Sequence, residues 1–480
     1  MTEEKGKRGY RLLTERLDSL WKRLKEQYPG MRKKYIPEGA EPGDTIQTEV
    51  PRGRGIPLDE RTIRNAWKGL PVSYTTARLI AEYFDRNLEN TEVVLDDLLA
   101  PPESLGELIR CERPEWDESL SPPGAMLRAE YGIVPFHFRE KELKELDDWC
   151  KISGHVKVRL YTGPGGMGKT RLAVELCRRR DGFGGWEAGF LDRERVSKAN
   201  DPGRLLADYK GPVLMVMDYA ETRRDELTPL IEAALANKNP NGKLRLILLA
   251  RAADDWWTQL KTEAGPVGEF LQSGQTVHDR LRPLTTDVEQ RKRSFDMAVD
   301  AFAERLGRKG TEPKDIDFGA EHFERVLLLH MEALRQVEGE DKQAARDEQG
   351  ILDSILLRER RFWGRLTPFH HLPEKFNAAV GPAMACITLG GGIVKGRFEA
   401  IDVLRKVPIL ENTPKDDLDR IARVLHDTYP GRKYIEPLMP DLLGEHLVQQ
   451  ELGDPETEEW IFDLIFGPEE GARIRGRARS

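Results

Sequence analysis

The sequence predicts an α/β fold built around a parallel sheet, with helical segments before and after it. A strand, a glycine-rich loop and a helix follow one another between Lys157 and Cys177. Two further apolar strands, Val213 to Met217 and Leu244 to Arg251, come next, separated by helical stretches. Strands that alternate with helices are typical of a parallel sheet, because the chain must cross back between successive strands. We therefore expect a three-layer core in the middle of the chain.

Length, charge and cysteine content set the limits of the interpretation. The 480 residues allow three or four domains, and 75 Lys+Arg against 83 Asp+Glu give a net charge of −8. This net negative charge gives no indication that the whole chain binds nucleic acid, and a local basic patch is the alternative. The four cysteines lie far apart without a CxxC spacing, which favours a reducing compartment. The apolar runs are too short to span a bilayer and no signal peptide is recognisable, so we expect a cytoplasmic protein without membrane contact.

Residues 1–122 predict a helical N-terminal module. The apolar residues between Leu12 and Leu24 have the spacing of an amphipathic helix, and the Gly- and Pro-rich residues 36–57 predict a loop. A helix from Asp59 to Trp67 follows. A second amphipathic helix has an apolar face formed by Ala77, Ile80, Ala81 and Phe84. The prolines at 101–102 and 122–123 indicate a linker before the sheet.

The loop from Gly163 to Thr170 matches the phosphate-binding pattern GxxxxGK[ST]. An apolar strand precedes it and an amphipathic helix follows, as the motif requires; a glycine-rich turn that matches by chance is the alternative. Glycines let successive N–H groups turn towards phosphate oxygens, Lys169 reaches the β- and γ-phosphates, and Thr170 ligates Mg²⁺. The predicted nucleotide-binding residues are Gly163, Gly165, Gly166, Gly168, Lys169, Thr170 and Arg171.

The strand Val213 to Met217 ends in Asp218, which we expect to hold Mg²⁺ together with Thr170. Many hydrolytic enzymes of this type have a catalytic carboxylate at the next position, where this chain has Tyr219. The nearest candidate base is Glu221, with a surface carboxylate as the alternative. We therefore expect Mg²⁺-dependent hydrolysis of ATP to be slow.

The third strand ends in Arg251, beside the predicted phosphate site. A guanidinium there can contact the γ-phosphate and so distinguish ATP from ADP, with a salt bridge to a neighbouring acid as the alternative. The guanine-selecting pattern NKxD is not met, because residues 237–240 read NKNP. An adenine nucleotide is therefore the expected ligand, and the predicted catalytic residues are Lys169, Asp218, Glu221 and Arg251.

Several segments together resemble the STAND class of P-loop ATPases, which are signal-transducing proteins related to NACHT and NB-ARC proteins. The resemblance lies in "GPGGMGKTRLAVEL", "VLMVMDYAE", "LILLAR" and "VPFHFREKELKEL", where Phe138 replaces the glycine of the family's hhGRE segment. Further segments that include "LRPLTTDVEQRKRSF" and "YIEPLMPDLLGEHLV" resemble the family's helical lid and winged-helix domains. The similarity covers residues 133 to 450.

The resemblance implies a division into an N-terminal module (1–122), a P-loop NTPase core (123–285), a helical lid (286–375), a winged-helix domain (376–450) and a tail (451–480). It also implies an ADP-bound closed form that opens on ligand sensing and ATP exchange and then oligomerises. In many relatives a winged-helix histidine in an "MHD" pattern contacts ADP. His446 lies near that position in "GEHLV"; a histidine on a helix surface is the alternative.

The N-terminal helices resemble the second half of a lambda-repressor-like helix-turn-helix, with "ERTIRNAWKG" in the position of a recognition helix. A helical adaptor or effector-associated module is the alternative. STAND proteins usually continue beyond the winged helix into sensor repeats, so we expect either a missing sensor or a chain cut short of one.

Three functions follow as alternatives. The leading one is an ATP/ADP-dependent switch in bacterial defence or stress sensing, with an unknown trigger ligand. The others are a nucleotide-gated DNA-binding regulator and a module that binds nucleotide without hydrolysing it.

Overall fold

The computed structural model describes residues 11–27, 65–68, 70, 72, 74–88, 93, 95–111, 121–207, 209–237, 239, 241–308, 316–339, 345–431, 433–468 and 470. The chain divides into two compact units. One contains Met1–Leu108 and Asp192–Asp201, and the other contains Ile109–Leu191 and Pro202–Ser480.

The first unit has a small apolar core between two amphipathic helices, α1 (Thr14–Gln27) and α2 (Tyr74–Asn87). Three aromatic rings form its centre: the Trp67 ring lies 6.4 Å from that of Trp21 and 6.3 Å from that of Phe84. Shorter helical segments in the described part include Leu95–Leu98, the 3₁₀ helix Leu105–Leu108 and Arg193–Lys198.

The predicted apolar faces of both helices are confirmed, with one correction. The expected face of α2 is buried throughout, and so is that of α1 from Leu17 to Leu24. Leu13, which the spacing assigned to the same face, is 40% exposed and precedes the first helical residue. A side chain belongs to one face of a helix only where the backbone is helical. Because α1 begins at Thr14, the predicted spacing applies from that residue onwards and does not include Leu13.

Most of the predicted recognition helix and the loop at 36–57 lie outside the described residues, as do residues 340–344 and 471–480. Residues 65–68 are described and helical from Asn65 to Trp67. The helix-turn-helix interpretation therefore stays a prediction.

The second unit is organised around a six-stranded sheet in the order β1-β3-β4-β5-β2-β6. Its strands are β1 (Ile109–Arg110), β2 (Val156–Thr162), β3 (Glu187–Leu191), β4 (Pro212–Met217), β5 (Lys243–Ala250) and β6 (Thr276–Arg280). Five strands are parallel, and β1 pairs antiparallel with β3 at one edge. The predicted parallel sheet is confirmed, and β1 lies before residue 123, where the sequence places the start of the core.

Helices cover the sheet. In β4 and β5 the side chains directed to both faces are buried, which is typical of parallel strands between two helical layers. On one face the strands share a core with α3 (Glu140–Lys151) and α4 (Lys169–Arg180). Further helices follow in α5 (Pro202–Ala207), α6 (Arg224–Ala236), α7 (Asp254–Thr262) and α8 (Pro266–Gln272). The strand β2 lies between β5 and the edge strand β6, so the loop that follows it opens at an interior strand of the sheet.

The chain after the sheet is helical, as predicted. Its helices are α9 (Val288–Arg305), α10 (Val326–Glu338), α11 (Glu348–Phe369), α12 (Phe376–Leu389), α13 (Arg397–Arg405), α14 (Lys415–Thr428), α15 (Asp441–Glu451) and α16 (Pro455–Phe466). They share one large apolar core that extends from Phe295 to Ile461. An antiparallel bridge joins Ile393 to Ile435 around α13 and α14. The division of these helices into lid and winged-helix domains stays a prediction.

None of the helices in the described part of the chain combines the length and the apolar composition needed to cross a membrane.

Candidate nucleotide site

The loop between β2 and α4 forms the centre of the candidate site. Gly163, Gly166 and Gly168 have φ angles of 154°, 80° and 89°, which side-chain-bearing residues rarely adopt. Gly168 precedes the first residue of α4, and no side chain caps the N-terminus of that helix. The helix therefore begins without a side-chain cap, and its first N–H groups together with the helix dipole favour a bound anion.

Lys169 folds back onto this loop. Its Nζ donates to the carbonyl oxygens of Gly163 at 2.5 Å and Pro164 at 3.0 Å. Burial lowers the pKa of Lys169, while the charges of Asp218 and Glu221 act in the opposite direction. The ammonium group thus lies within the loop, where a phosphate can exchange for the carbonyl oxygens as its partner.

Thr170 and Asp218 meet across the loop, as the sequence predicts for a magnesium site. Thr170 Oγ1 donates to Asp218 Oδ2 at 3.0 Å, and the backbone N–H of Tyr219 donates to Asp218 Oδ1 at 3.0 Å. Burial raises the pKa of Asp218 to about 6, although both hydrogen bonds oppose the shift. A divalent cation between these two side chains would favour the ionised carboxylate.

Glu221 and Arg251 also lie close together, and each is already engaged by other groups of the protein. Glu221 Oε1 accepts a hydrogen bond from the backbone N–H of Arg251 at 2.9 Å. Its second oxygen, Oε2, is buried and has no hydrogen-bond partner among the described residues. Glu221 therefore holds the end of β5 through one oxygen, and its other oxygen is shielded from solvent in this arrangement.

The helix α15 lies against the same loop, which the sequence motifs did not predict. Leu442 occupies the space above two glycines: a Cβ atom added to Gly165 or Gly166 would lie 3.4 Å or 2.9 Å from its side chain. The hydroxyl group of Tyr219 donates to Asp441 Oδ2, and Arg251 Nη2 lies 3.5 Å from the same oxygen. Arg251 Nη2 also donates to Glu445 Oε1. Arg251 therefore forms salt bridges with neighbouring acids in this structure, which was the alternative to a γ-phosphate contact.

Two further segments contact the loop. The backbone N–H of Leu327, at the start of α10, donates to the Gly166 carbonyl at 3.1 Å. Arg139 is buried and donates through Nη2 to Met167 O and Arg282 O, both at 2.9 Å. Phe138, which replaces the family's glycine, has a φ of 56°, so it adopts the backbone conformation that glycine favours.

Arg171, predicted as a nucleotide-binding residue, connects α4 to the segment before α3. Its Nη2 lies 3.5 Å from Val134 O, its Nη1 lies 3.4 Å from Glu175 Oε2, and its guanidinium carbon lies 5.7 Å from the centre of the Phe136 ring. The residues of "VPFHFRE" thus lie beside the first turn of α4.

His446 is 3% exposed, so the interpretation as a surface histidine is wrong. Its Nε2 lies 2.7 Å from Asp353 Oδ1, which connects α15 to α11. It is buried because α15 packs between the core helices α11 and α12 rather than presenting this face to solvent.

The residues present fit a magnesium-bound nucleoside phosphate. Glycine conformations, uncapped N–H groups and Lys169 suit the phosphates, and Thr170 with Asp218 suits Mg²⁺. Among the described residues, no group of three or more His, Cys, Asp or Glu side chains could hold a metal ion by itself. Phosphate oxygens and water would therefore complete the coordination, as Mg²⁺ usually requires. When bound, the ion neutralises charge on the phosphates.

Comparison with known proteins finds distant similarity to several solved structures. No protein-family model matches the sequence, and no curated protein matches it. Similar solved structures include Cdc6p from Pyrobaculum aerophilum, with 12% identity over 70% of this chain and 90% of that one and a TM-score of 0.30. They also include a katanin structure on self-assembly (13% identity, 52% and 91% coverage, TM-score 0.25) and C. elegans PCH-2 (14%, 53% and 76%, 0.27). At these TM-scores the likeness carries no argument about function.

The arrangement of the sheet and the glycine-rich loop identifies the fold of the core. A parallel sheet has a glycine-rich loop after an interior strand, with Lys169 and Thr170 opening the next helix and Asp218 following a nearby strand. The core has an α/β P-loop NTPase fold. Sequence motifs found Lys169, Thr170, Asp218, Glu221 and Arg251, and the structure brings all five together. They missed Asp441, Leu442 and Glu445, because no local pattern connects α15 with a loop about 270 residues earlier.

Proposed function

We propose that this chain is an ATP/ADP-dependent signal-transduction switch of the STAND type, as in bacterial defence or stress sensing. The observation that supports the proposal is the position of α15. This helix belongs to the predicted winged-helix domain, yet its side chains contact Gly166, Tyr219 and Arg251 at the phosphate site. A nucleotide at the loop would therefore contact both regions and influence whether they stay together.

The physical basis is differential binding. A ligand shifts an equilibrium between two arrangements only as far as it binds one of them better. A diphosphate that fits under α15 stabilises the closed arrangement, and a ligand that needs the space or the partners of α15 favours opening. In this proposal an unknown trigger opens the site, ATP replaces ADP, and the opened chains form a homo-oligomer.

The experiment compares the wild-type chain with Lys169→Ala by calorimetry against Mg-ADP and Mg-ATP. We expect micromolar or tighter binding to the wild type and a loss of at least about a hundredfold in the variant, because a charge-assisted contact to phosphate is removed. Lys151→Ala, which removes an exposed lysine of α3, is the matched control. Equal affinity of Lys169→Ala and wild type would contradict the proposed site.

The closed resting state is tested on the same protein. Nucleotide extracted after purification should be ADP, and small-angle scattering should show an extended form only when ATP is supplied together with a trigger. Identical scattering curves for ADP and ATP with a proven trigger would leave the loop as a structural nucleotide site.

A second candidate function is a module that holds nucleotide without hydrolysing it. Its support is the engagement of Glu221 with the backbone of Arg251 at 2.9 Å, together with Tyr219 after Asp218. Both features reduce the number of groups able to activate water. The turnover measurement in the Discussion separates the two functions.

A further inference from the structure

Two carboxylates of α15 contact the guanidinium group of Arg251. Asp441 and Glu445 are four residues apart, so they lie on the same face of the helix. Arg251 Nη2 lies 3.5 Å from Asp441 Oδ2 and also donates to Glu445 Oε1. Tyr219 donates to Asp441 as well. The guanidinium that a γ-phosphate would need is therefore already bound to two anionic groups of the chain itself.

Asp441 also lies beside other groups of the predicted phosphate site. Its carboxylate accepts a hydrogen bond from the hydroxyl group of Tyr219, which directly follows Asp218. Leu442, the next residue of α15, lies against Gly165 and Gly166 of the loop. A negative charge in this position would repel further negative charge that a ligand brings to the loop.

We propose that Asp441 and Glu445 make the closed arrangement selective for a nucleoside diphosphate over the corresponding triphosphate. The proposal rests on the proposed nucleotide site and names two residues that determine its selectivity. A γ-phosphate brings further negative charge towards Arg251, where it meets two like charges and a guanidinium that already has partners. A diphosphate has no γ-phosphate, so it avoids the repulsion by these two carboxylates.

The test compares Mg-ADP and Mg-ATP binding by calorimetry in the full chain and in the double variant Asp441→Asn/Glu445→Gln. Both substitutions keep the size and a hydrogen-bonding oxygen but remove the charges. We expect the ratio of ATP affinity to ADP affinity to rise by about tenfold or more, since like charges a few ångströms apart interact strongly near a protein surface. The affinity for ADP should change much less than the affinity for ATP.

Glu451→Gln is the matched control, because Glu451 lies on the same helix and pairs with Arg360, 2.6 Å away, instead of with the loop. It should leave the ratio unchanged, and Glu445→Gln alone should shift it in part. An unchanged ratio in the double variant would overturn the proposal, and so would an equal loss of affinity for both nucleotides. If the wild type binds neither nucleotide, the proposed function itself fails, and that result is distinct from an unchanged ratio.

Discussion

Glu359 is the clearest case of a single residue whose environment controls its ionisation. It is fully buried in α11, where its carboxylate accepts a hydrogen bond from the Gly124 N–H at 2.5 Å and one from the Tyr429 hydroxyl at 3.2 Å. Tyr429 in turn accepts from Trp363 Nε1 at 2.6 Å. Burial raises the pKa of Glu359 to about 7, even though its two hydrogen bonds lower it. The neutral carboxyl group is therefore favoured in the folded state.

The raised pKa predicts a pH-dependent stability. Its contribution to the free energy of unfolding is fully present below the ordinary pKa of about 4.5 and is lost as the pH rises through about 7. Glu359→Gln has no such ionisation, so the variant should gain stability relative to wild type between pH 4.5 and pH 7.5, by up to about 3 kcal/mol. Urea unfolding at several pH values measures the difference.

The exposed Glu374→Gln serves as the charge control for this comparison. A constant difference between Glu359→Gln and wild type across that pH range would contradict the prediction.

Among the elements, β5 contains a charged residue that a strand prediction does not explain. Arg245 is fully buried, and its guanidinium bonds to backbone carbonyl groups near the end of α3. Its Nε donates to Cys150 O at 3.1 Å, its Nη2 to Ile152 O, and its Nη1 to Gly154 O at 3.2 Å. The carbonyl groups at a helix C-terminus lack partners within the helix, so a cation is favourable there. Arg245 thereby ties the end of α3 to the sheet at the edge opposite the candidate site.

Arg245→Met should destabilise the second unit. The substitution keeps the apolar stem but leaves several buried carbonyl oxygens without a donor, and each such group costs about 1–3 kcal/mol. We expect a loss of about 2–5 kcal/mol in the free energy of unfolding, measured by urea denaturation.

Arg159→Met is the matched control on the neighbouring strand β2. Arg159 makes an ion pair with the partly exposed Asp279 at 2.8 Å, so its loss should cost about 1 kcal/mol or less. Equal losses in the free energy of unfolding for the two substitutions would contradict a stabilising role of the contacts between Arg245 and the buried carbonyl groups.

On the scale of the whole molecule, the site joins segments from distant parts of the second unit. The ends of β4 and β5, the start of α10 and the first turn of α15 all meet around the loop after β2. An arrangement of this kind suits a protein in which nucleotide binding controls conformation. It is less suited to fast hydrolysis, because Tyr219 takes the position of a catalytic carboxylate and Glu221 is held by the backbone of Arg251.

Turnover by the purified chain should therefore be slow. At saturating Mg-ATP, phosphate release should stay below about 1 per second, at or below the lower end of typical enzyme rates. Asp218→Asn should abolish what turnover there is, because it removes the charge that holds the metal ion. Steady turnover well above about 1 per second without a trigger would argue against a switch. The absence of any turnover under all conditions would favour the non-hydrolysing module.

The sequence by itself determined the parts of this protein that depend on contiguous residues. The loop from Gly163 to Thr170 needs only local glycine conformations and a following helix, so its motif was sufficient to predict it. The strands β4 and β5 were predictable because interior parallel strands are buried on both faces and therefore strongly apolar. The strand β2 was predictable from the alternation of Val156, Val158 and Leu160 before the loop. The strands β1, β3 and β6 were not singled out, since β1 and β3 are short and the outer strand β6 is largely polar.

Only the tertiary structure decided what closes the site. Leu327, Asp441, Leu442 and Glu445 follow no phosphate-binding pattern, and they reach the loop because the helices after the sheet share one apolar core. Contacts between residues so far apart depend on how whole helices pack, which local periodicity does not specify. The sequence thus predicted which residues would hold a nucleotide. Packing decided that Arg251 meets the carboxylates of α15 in this arrangement.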